Sequence, residues 1–301
     1  MNGFPKGARV VFLGDSITHA NDYIARIADY YHEHFPERGV NFYNCGVSGG
    51  SLKTQLTIFD EDVLAHKPTH AVIMIGINDS SRYLLVDLPR GKERFDRLLS
   101  AFDVYKQRLS EICRKLEAIG CKITLCTQTP YDEYQDSDVP VYKGGFALLA
   151  AYAEYIRCFA KEKGYALCDY HAYISMVAQA EPIINADRVH PNALGHYYMA
   201  KCFLNFQGYD IGQYKEIPEY LSEWRAKTED LRNIHAAEYL IIQDYSLDID
   251  GRINFIKNYL ENKDNKEAYF LYLANRYLQN KPKQRQLEDE INSLMEIELK
   301  K

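Results

Sequence analysis

The stretch Val10-Val11-Phe12-Leu13-Gly14-Asp15-Ser16-Ile17-Thr18 decides the fold. Its apolar run ends at a glycine and reads as a buried strand. A helix-like segment follows, so Ser16 stands where a strand gives way to a helix. Open α/β sheets bind ligands at that edge. Gly14 lets the backbone turn sharply and leaves room for another group. A helix start offers peptide N–H groups to developing negative charge. The same Asp-Ser-x-Thr pattern is also ordinary N-cap chemistry. Alone, the stretch leaves both readings open.

Further strands follow in order. Val40 to Asn44, His70 to Gly76, Lys122 to Thr127 and Tyr165 to Asp169 read as strands. Helical spacing separates them over Asn21 to Phe35, Gln55 to His66, Lys92 to Ala118, 146–162, 171–180 and Ala193 to Phe206. Strands alternating with helices predict a parallel sheet covered on both faces. The expected fold is a three-layer α/β/α, flavodoxin-like domain with a five-stranded sheet over residues 1–210. After Gly208 the strand-like runs vanish and charge rises. Apolar residues at helical spacing, including Leu231, Ile234, Ile256, Tyr259 and the stretch Lys266 to Gln279, predict a C-terminal α-helical appendage over 211–301. Its expected role is packing or homo-oligomer formation rather than a substrate lid.

The chain has 301 residues and a formal net charge of -6. That mild charge argues against a nucleic-acid partner or an anionic membrane surface. Met1 to Lys6 has no apolar core of a signal peptide, and no run of about eighteen apolar residues exists to span a membrane. Seven cysteines, an odd and scattered set, point to buried thiols in a reducing compartment, hence a cytoplasmic location. Cys121 and Cys126 lack zinc-site spacing, so neither a metal nor a cofactor is expected.

Chemically useful residues fall at successive strand ends: Ser16, Gly49, Asn78, then Asp187 and His190 in a late loop. Acyl transfer needs an attacking hydroxyl, a base, a group that orients the base, and donors for the oxyanion. Ser16 can attack. His190 can take its proton, histidine being the residue that titrates near neutrality. Asp187, three residues earlier, can fold back on Nδ1. The Ser16 N–H, the Gly49 N–H and the Asn78 amide can face the oxyanion. Taken singly, each of these is also a turn, loop or cap residue. Their order along the chain is what carries the reading.

Four blocks together resemble the SGNH hydrolases, also called the GDSL esterase/lipase family. Gly14-Asp15-Ser16-Ile17-Thr18 resembles the first block, with Ile17 in place of the usual leucine. Asn44-Cys45-Gly46-Val47-Ser48-Gly49 resembles the second, Gly76-Ile77-Asn78-Asp79 the third, and Asp187-Arg188-Val189-His190-Pro191-Asn192 the last. Arg188 stands where many members carry glycine, a departure expected at the pocket rim. The resemblance covers about residues 8–206 and implies the SGNH hydrolase fold and a serine ester hydrolase.

The expected substrate is a small-molecule ester, such as an acetylated carbohydrate, losing acetyl or another short acyl group. A lysophospholipase or acyl-thioesterase is the alternative within the family. A catalytically silent binding module is the alternative outside it. Asp15, Tyr131 and Tyr134 are the candidate substrate-binding residues beside the cleft, although Asp15 also suits a cap. His19 is expected on a helix surface.

Overall fold

The apolar runs become a five-stranded sheet in the computed structural model of the chain, which describes residues 3–262 and 267–298. Met1 and Asn2, residues 263–266 and residues 299–301 lie outside the described residues, and with them the expected start of an apolar stretch at Lys266.

Strands β1 (Arg9–Gly14), β2 (Asn41–Gly46), β3 (His70–Met74), β4 (Lys122–Cys126) and β5 (Ala166–Cys168) are all parallel, in the order β2-β1-β3-β4-β5. Alternation along β1 sends Val10 and Phe12 to one core, and Val11 and Leu13 to the other. Helices α2 (Asp22–His34) and α8 (Ala193–Phe206) cover the first face. Helices α5 (Lys92–Ala118) and α6 (Gly145–Lys163) cover the second. Truncating a fully buried ring such as Phe12 in such a core costs about 3–5 kcal/mol.

The expected helix over Gln55 to His66 is broken. Helix α3 (Leu52–Thr57) ends early and gives way to a wider turn, Phe59–Val63, and a tight one, Leu64–His66. This irregular path buries Phe59, Val63 and the acidic Asp62 together. Asp62 has a partner there, described below.

Beyond 211 the described residues form α9 (Ser222–Ala237), α10 (Ile249–Glu261), α11 (Ala268–Asn280) and α12 (Gln284–Glu298), with short turns between. Trp224, Leu231, Ile234, Ile256 and Tyr277 are buried in the same continuous core as Phe12 and Phe42. These helices are therefore welded to the sheet domain rather than tethered to it. Arg232 of α9 grips Asp62 in two parallel bonds of 2.6 and 2.7 Å. Burial pushes the Asp62 carboxyl up, but the Arg232 guanidinium holds it well below its usual range. No helix among the described residues is long and apolar enough to cross a membrane.

Candidate active site

Strand register sets the site. Gly14 of β1 pairs with Gly46 of β2 and with Met74 of β3, so three strands end level. The residues that follow each end share one edge. Two of the turns demand glycine. A Cβ on Gly14 would lie 2.0 Å from Thr18 Oγ1, and one on Gly46 would lie 2.4 Å from the His19 peptide nitrogen. This close approach folds Ser16–His19, the short helix α1, against β2.

Ser16 Oγ lies 2.7 Å from His190 Nε2. His190 Nδ1 lies 2.6 Å from Asp187 Oδ2. The second carboxylate oxygen, Oδ1, accepts the N–H groups of Val189 and His190, both at 2.9 Å. Burial raises the Asp187 pKa, but those N–H groups and the imidazole outweigh it and keep the carboxyl below its usual range. An ionised Asp187 fixes the proton on Nδ1, which leaves Nε2 free to accept from the serine hydroxyl.

The three candidate oxyanion donors are the Ser16 and Gly49 peptide N–H groups and the Asn78 side-chain amide, which follow β1, β2 and β3. Among the described residues neither the Ser16 nor the Gly49 peptide N–H has a protein acceptor. Gly49 is exposed and takes a left-handed conformation, φ +71°. Asn78 Nδ2 donates one hydrogen to the Gly50 carbonyl at 2.7 Å. That bond ties the third block to the second and leaves the other amide hydrogen available.

The candidate substrate-binding residues differ in exposure. Asp15 is buried, and its Oδ1 accepts the Ile17 N–H at 3.0 Å as the cap of α1. Burial pushes its carboxyl up to about 6, against the Ile17 N–H and the charges of His190 and Arg82. Tyr131 is 2% exposed, and its phenol accepts the Tyr142 N–H at 2.9 Å. It packs the 131–144 loop. Tyr134 is 81% exposed, with its ring 6.4 Å from that of Phe146. His19 corrects the surface expectation: it is buried, its ring neutral, with a pKa lowered to about 3 by burial and by Arg232.

Arg188 is not a free rim residue either. It adopts φ +70° and is buried, with its guanidinium donating to the carbonyls of Val139, Gln135, Ser137 and Asp132 at 2.8–3.3 Å. It clamps the loop beside Asp187. Arg82 is a site neighbour that sequence reasoning missed. It donates to the Ile77 carbonyl at 2.8 Å, and its charge faces Asp15, Tyr142, Tyr131 and Asp187. Its one signal is position, four residues after Asn78 on the turn that leaves β3.

Cys45, Asp62 and His66 bring ligand-type atoms within 4.8 Å of one another. Both Asp62 oxygens already hold Arg232, and that charge opposes a cation. A cleft of about 400 Å³ opens next to Asn78, between Ser51, Tyr83, Arg97 and Arg108.

A parallel 2-1-3-4-5 sheet whose first strand delivers a serine to a histidine from a late loop defines the class, an α/β carboxylic ester hydrolase. The chain belongs to the GDSL-like Lipase/Acylhydrolase family, which it matches over residues 12–198. It is 28% identical over 221 residues to an acetylxylan esterase of Geobacillus stearothermophilus, spanning 68% of this chain and 95% of that protein. Two solved forms of an acetylxylan esterase from that organism are described as catalytic mutants, with a serine or a histidine changed to alanine. They align at 26% and 25% identity with TM-scores of 0.57 and 0.58, each covering 71% of this chain and 100% of that one. A gut microbial diltiazem-metabolizing enzyme shares the fold over 100% of this chain and 96% of its own, at TM-score 0.85 and 17% identity.

Proposed function

We propose that Ser16, His190 and Asp187 form a catalytic triad that removes acetyl or other short acyl groups from a carbohydrate or similar polar alcohol. The carrying observation is the unbroken line from Ser16 Oγ through the imidazole to Asp187, at 2.7 and 2.6 Å. Ser16 Oγ attacks the ester carbonyl carbon as its proton moves to His190 Nε2. The carbonyl oxygen becomes an oxyanion facing the Ser16 N–H, the Gly49 N–H and the Asn78 amide. Collapse breaks the bond to the alcohol, which leaves with the proton from Nε2. Water then attacks the acyl-serine, giving its proton to the same nitrogen. The acid departs and Ser16 recovers its hydrogen.

Ser51, Ser81, Arg97 and Arg108 on the cleft beside Asn78 support a hydrophilic substrate. Leu240 lies near Gly49 and supports a second reading, in which a longer acyl chain of a lysophospholipid or thioester rests on the C-terminal helices. A panel of acetylated sugars, lysophospholipids and acyl-thioesters tests both, with Ser16→Ala as control. Acetyl esters should be cleaved fastest. Faster cleavage of long chains would replace the first reading with the second. Unpaired thiols, with the Cys168 and Cys202 sulfurs 3.8 Å apart, support a reducing, cytoplasmic setting.

A further inference from the structure

The oxyanion loop is braced from the far side by the C-terminal helices. The Ser48 N–H donates to His19 Nδ1 at 3.2 Å. A peptide N–H can only donate, so Nδ1 carries no proton and Nε2 carries one. The Asn233 side chain of α9 faces the same ring. With Nδ1 occupied, Nε2–H is the group left to donate toward the Asn233 side-chain oxygen. Asn233 Nδ2 in turn donates to the Tyr272 hydroxyl at 3.3 Å, and Tyr272 donates to Glu229 at 3.3 Å. Each link points the same way, from the loop outward. His19 and Asn233 are both buried, so water does not offer a ready substitute. Two further contacts close on the same loop. Leu240 side-chain carbons lie 3.6 and 3.7 Å from where a Gly49 Cβ would stand, and the Tyr269 phenol faces the Ser48 hydroxyl. Asn233, Leu240 and Tyr269 all lie past residue 198, where the family match ends.

We infer that His19 and Asn233 are positioning residues for ester hydrolysis, fixing the Ser48 peptide so that the next N–H along the chain, that of Gly49, meets the oxyanion. The inference rests on the reading of Gly49 as an oxyanion donor. A donor that acts only on the tetrahedral state contributes to kcat and little to substrate binding. Complete loss of one such donor costs about a hundred- to a thousand-fold. A donor left in place but mobile costs less. Asn233 acts only through His19, so the two effects must not add.

The test compares full-length wild type, His19→Leu, His19→Asn, Asn233→Leu and the double leucine variant on p-nitrophenyl acetate, each normalised to its folded fraction by circular dichroism. His19→Asn keeps an acceptor near the place of Nδ1. We expect His19→Leu and Asn233→Leu to lose about tenfold or more in kcat with KM within about threefold. His19→Asn should recover most of the loss, and the double variant should be no worse than His19→Leu alone. Wild-type kcat in folded His19→Leu overturns the inference, as does a loss confined to KM. Hydrogen exchange in the wild type does not depend on any variant folding: the Ser48 amide should be strongly protected, and rapid exchange there also overturns the inference. Ser16→Ala separates the two levels. If it is inactive while His19→Leu is unimpaired, only the positioning role fails. If Ser16→Ala hydrolyses at the wild-type rate, the triad reading itself fails.

Discussion

One oxygen of Asp187 meets His190 Nδ1 at 2.6 Å while the other is pinned by the backbone N–H groups of Val189 and His190 at 2.9 Å. The carboxylate therefore cannot swing away from the ring, and the ring cannot choose its tautomer freely. Asp187→Asn should keep the pinned oxygen and turn its NH2 toward Nδ1. Nδ1 must then accept, the proton moves to Nε2, and Ser16 loses its base. The expected loss in kcat is about ten-thousand-fold with the fold intact, by analogy with the same exchange in a serine-protease triad. Steady-state kinetics and a thermal melt check it. Near-wild-type turnover would mean that Asp187 does not orient the imidazole.

Arg188 holds a left-handed backbone at φ +70°, which glycine tolerates better, and offsets that strain with its bonds to the 132–139 carbonyls. Arg188→Gly should relieve the strain and release the loop. Backbone hydrogen exchange over 132–139 should accelerate by tenfold or more, on the scale of about 1.4 kcal/mol per decade. Unchanged protection would show that the loop is held by other contacts.

Arg232 and Asp62 form a fully buried pair joining α9 to the turn after α3. Arg232→Met removes the guanidinium from the buried Asp62 carboxylate, leaving it the His235 ring at 3.5 Å, and should cost about 3–5 kcal/mol. Adding Asp62→Leu removes that charge and should recover much of the loss. Denaturant melts of the two variants measure it. A double variant as unstable as the single would contradict the pairing argument.

Asp79 supplies the pH dependence. Burial pushes its carboxyl up to about 7, against the Leu52 N–H and Arg108. The folded chain thus holds this proton more tightly than the unfolded chain, whose aspartates titrate near 3.9. Its contribution is fully present below that value and is lost as pH rises through about 7. Asp79→Asn cannot ionise, and its amide oxygen can still accept from Leu52. Its stability relative to wild type should therefore rise between pH 4 and about 8. A stability difference that stays constant across that window would contradict the assignment.

The sheet was legible because its inner strands β1 and β3 are continuous apolar runs, and buried parallel strands need little else. The candidate site residues Ser16, Gly49 and Asn78 could be placed together because they follow β1, β2 and β3, and parallel strands deliver their following residues to one edge; Asp187 and His190, in the loop before α8, were singled out by their order and spacing alone. What stayed hidden depends on contacts far apart in the chain. His19 looks like a surface helix residue until Asn233 and Arg232, more than two hundred positions later, close over it. The bend after α3 is likewise unreadable without Arg232, which draws Asp62 inward. Tyr131 reads as a cleft aromatic, but its ring fills the space beside Gly145, and only packing reveals that.

The central claim is that Ser16 is an activated nucleophile. Treating the protein with a fluorophosphonate and mapping the adduct by peptide mass spectrometry tests it most directly. The account predicts one adduct, on Ser16, absent from Ser16→Ala and strongly slowed in His190→Ala. An unlabelled wild type, or an adduct on a different residue, would contradict it.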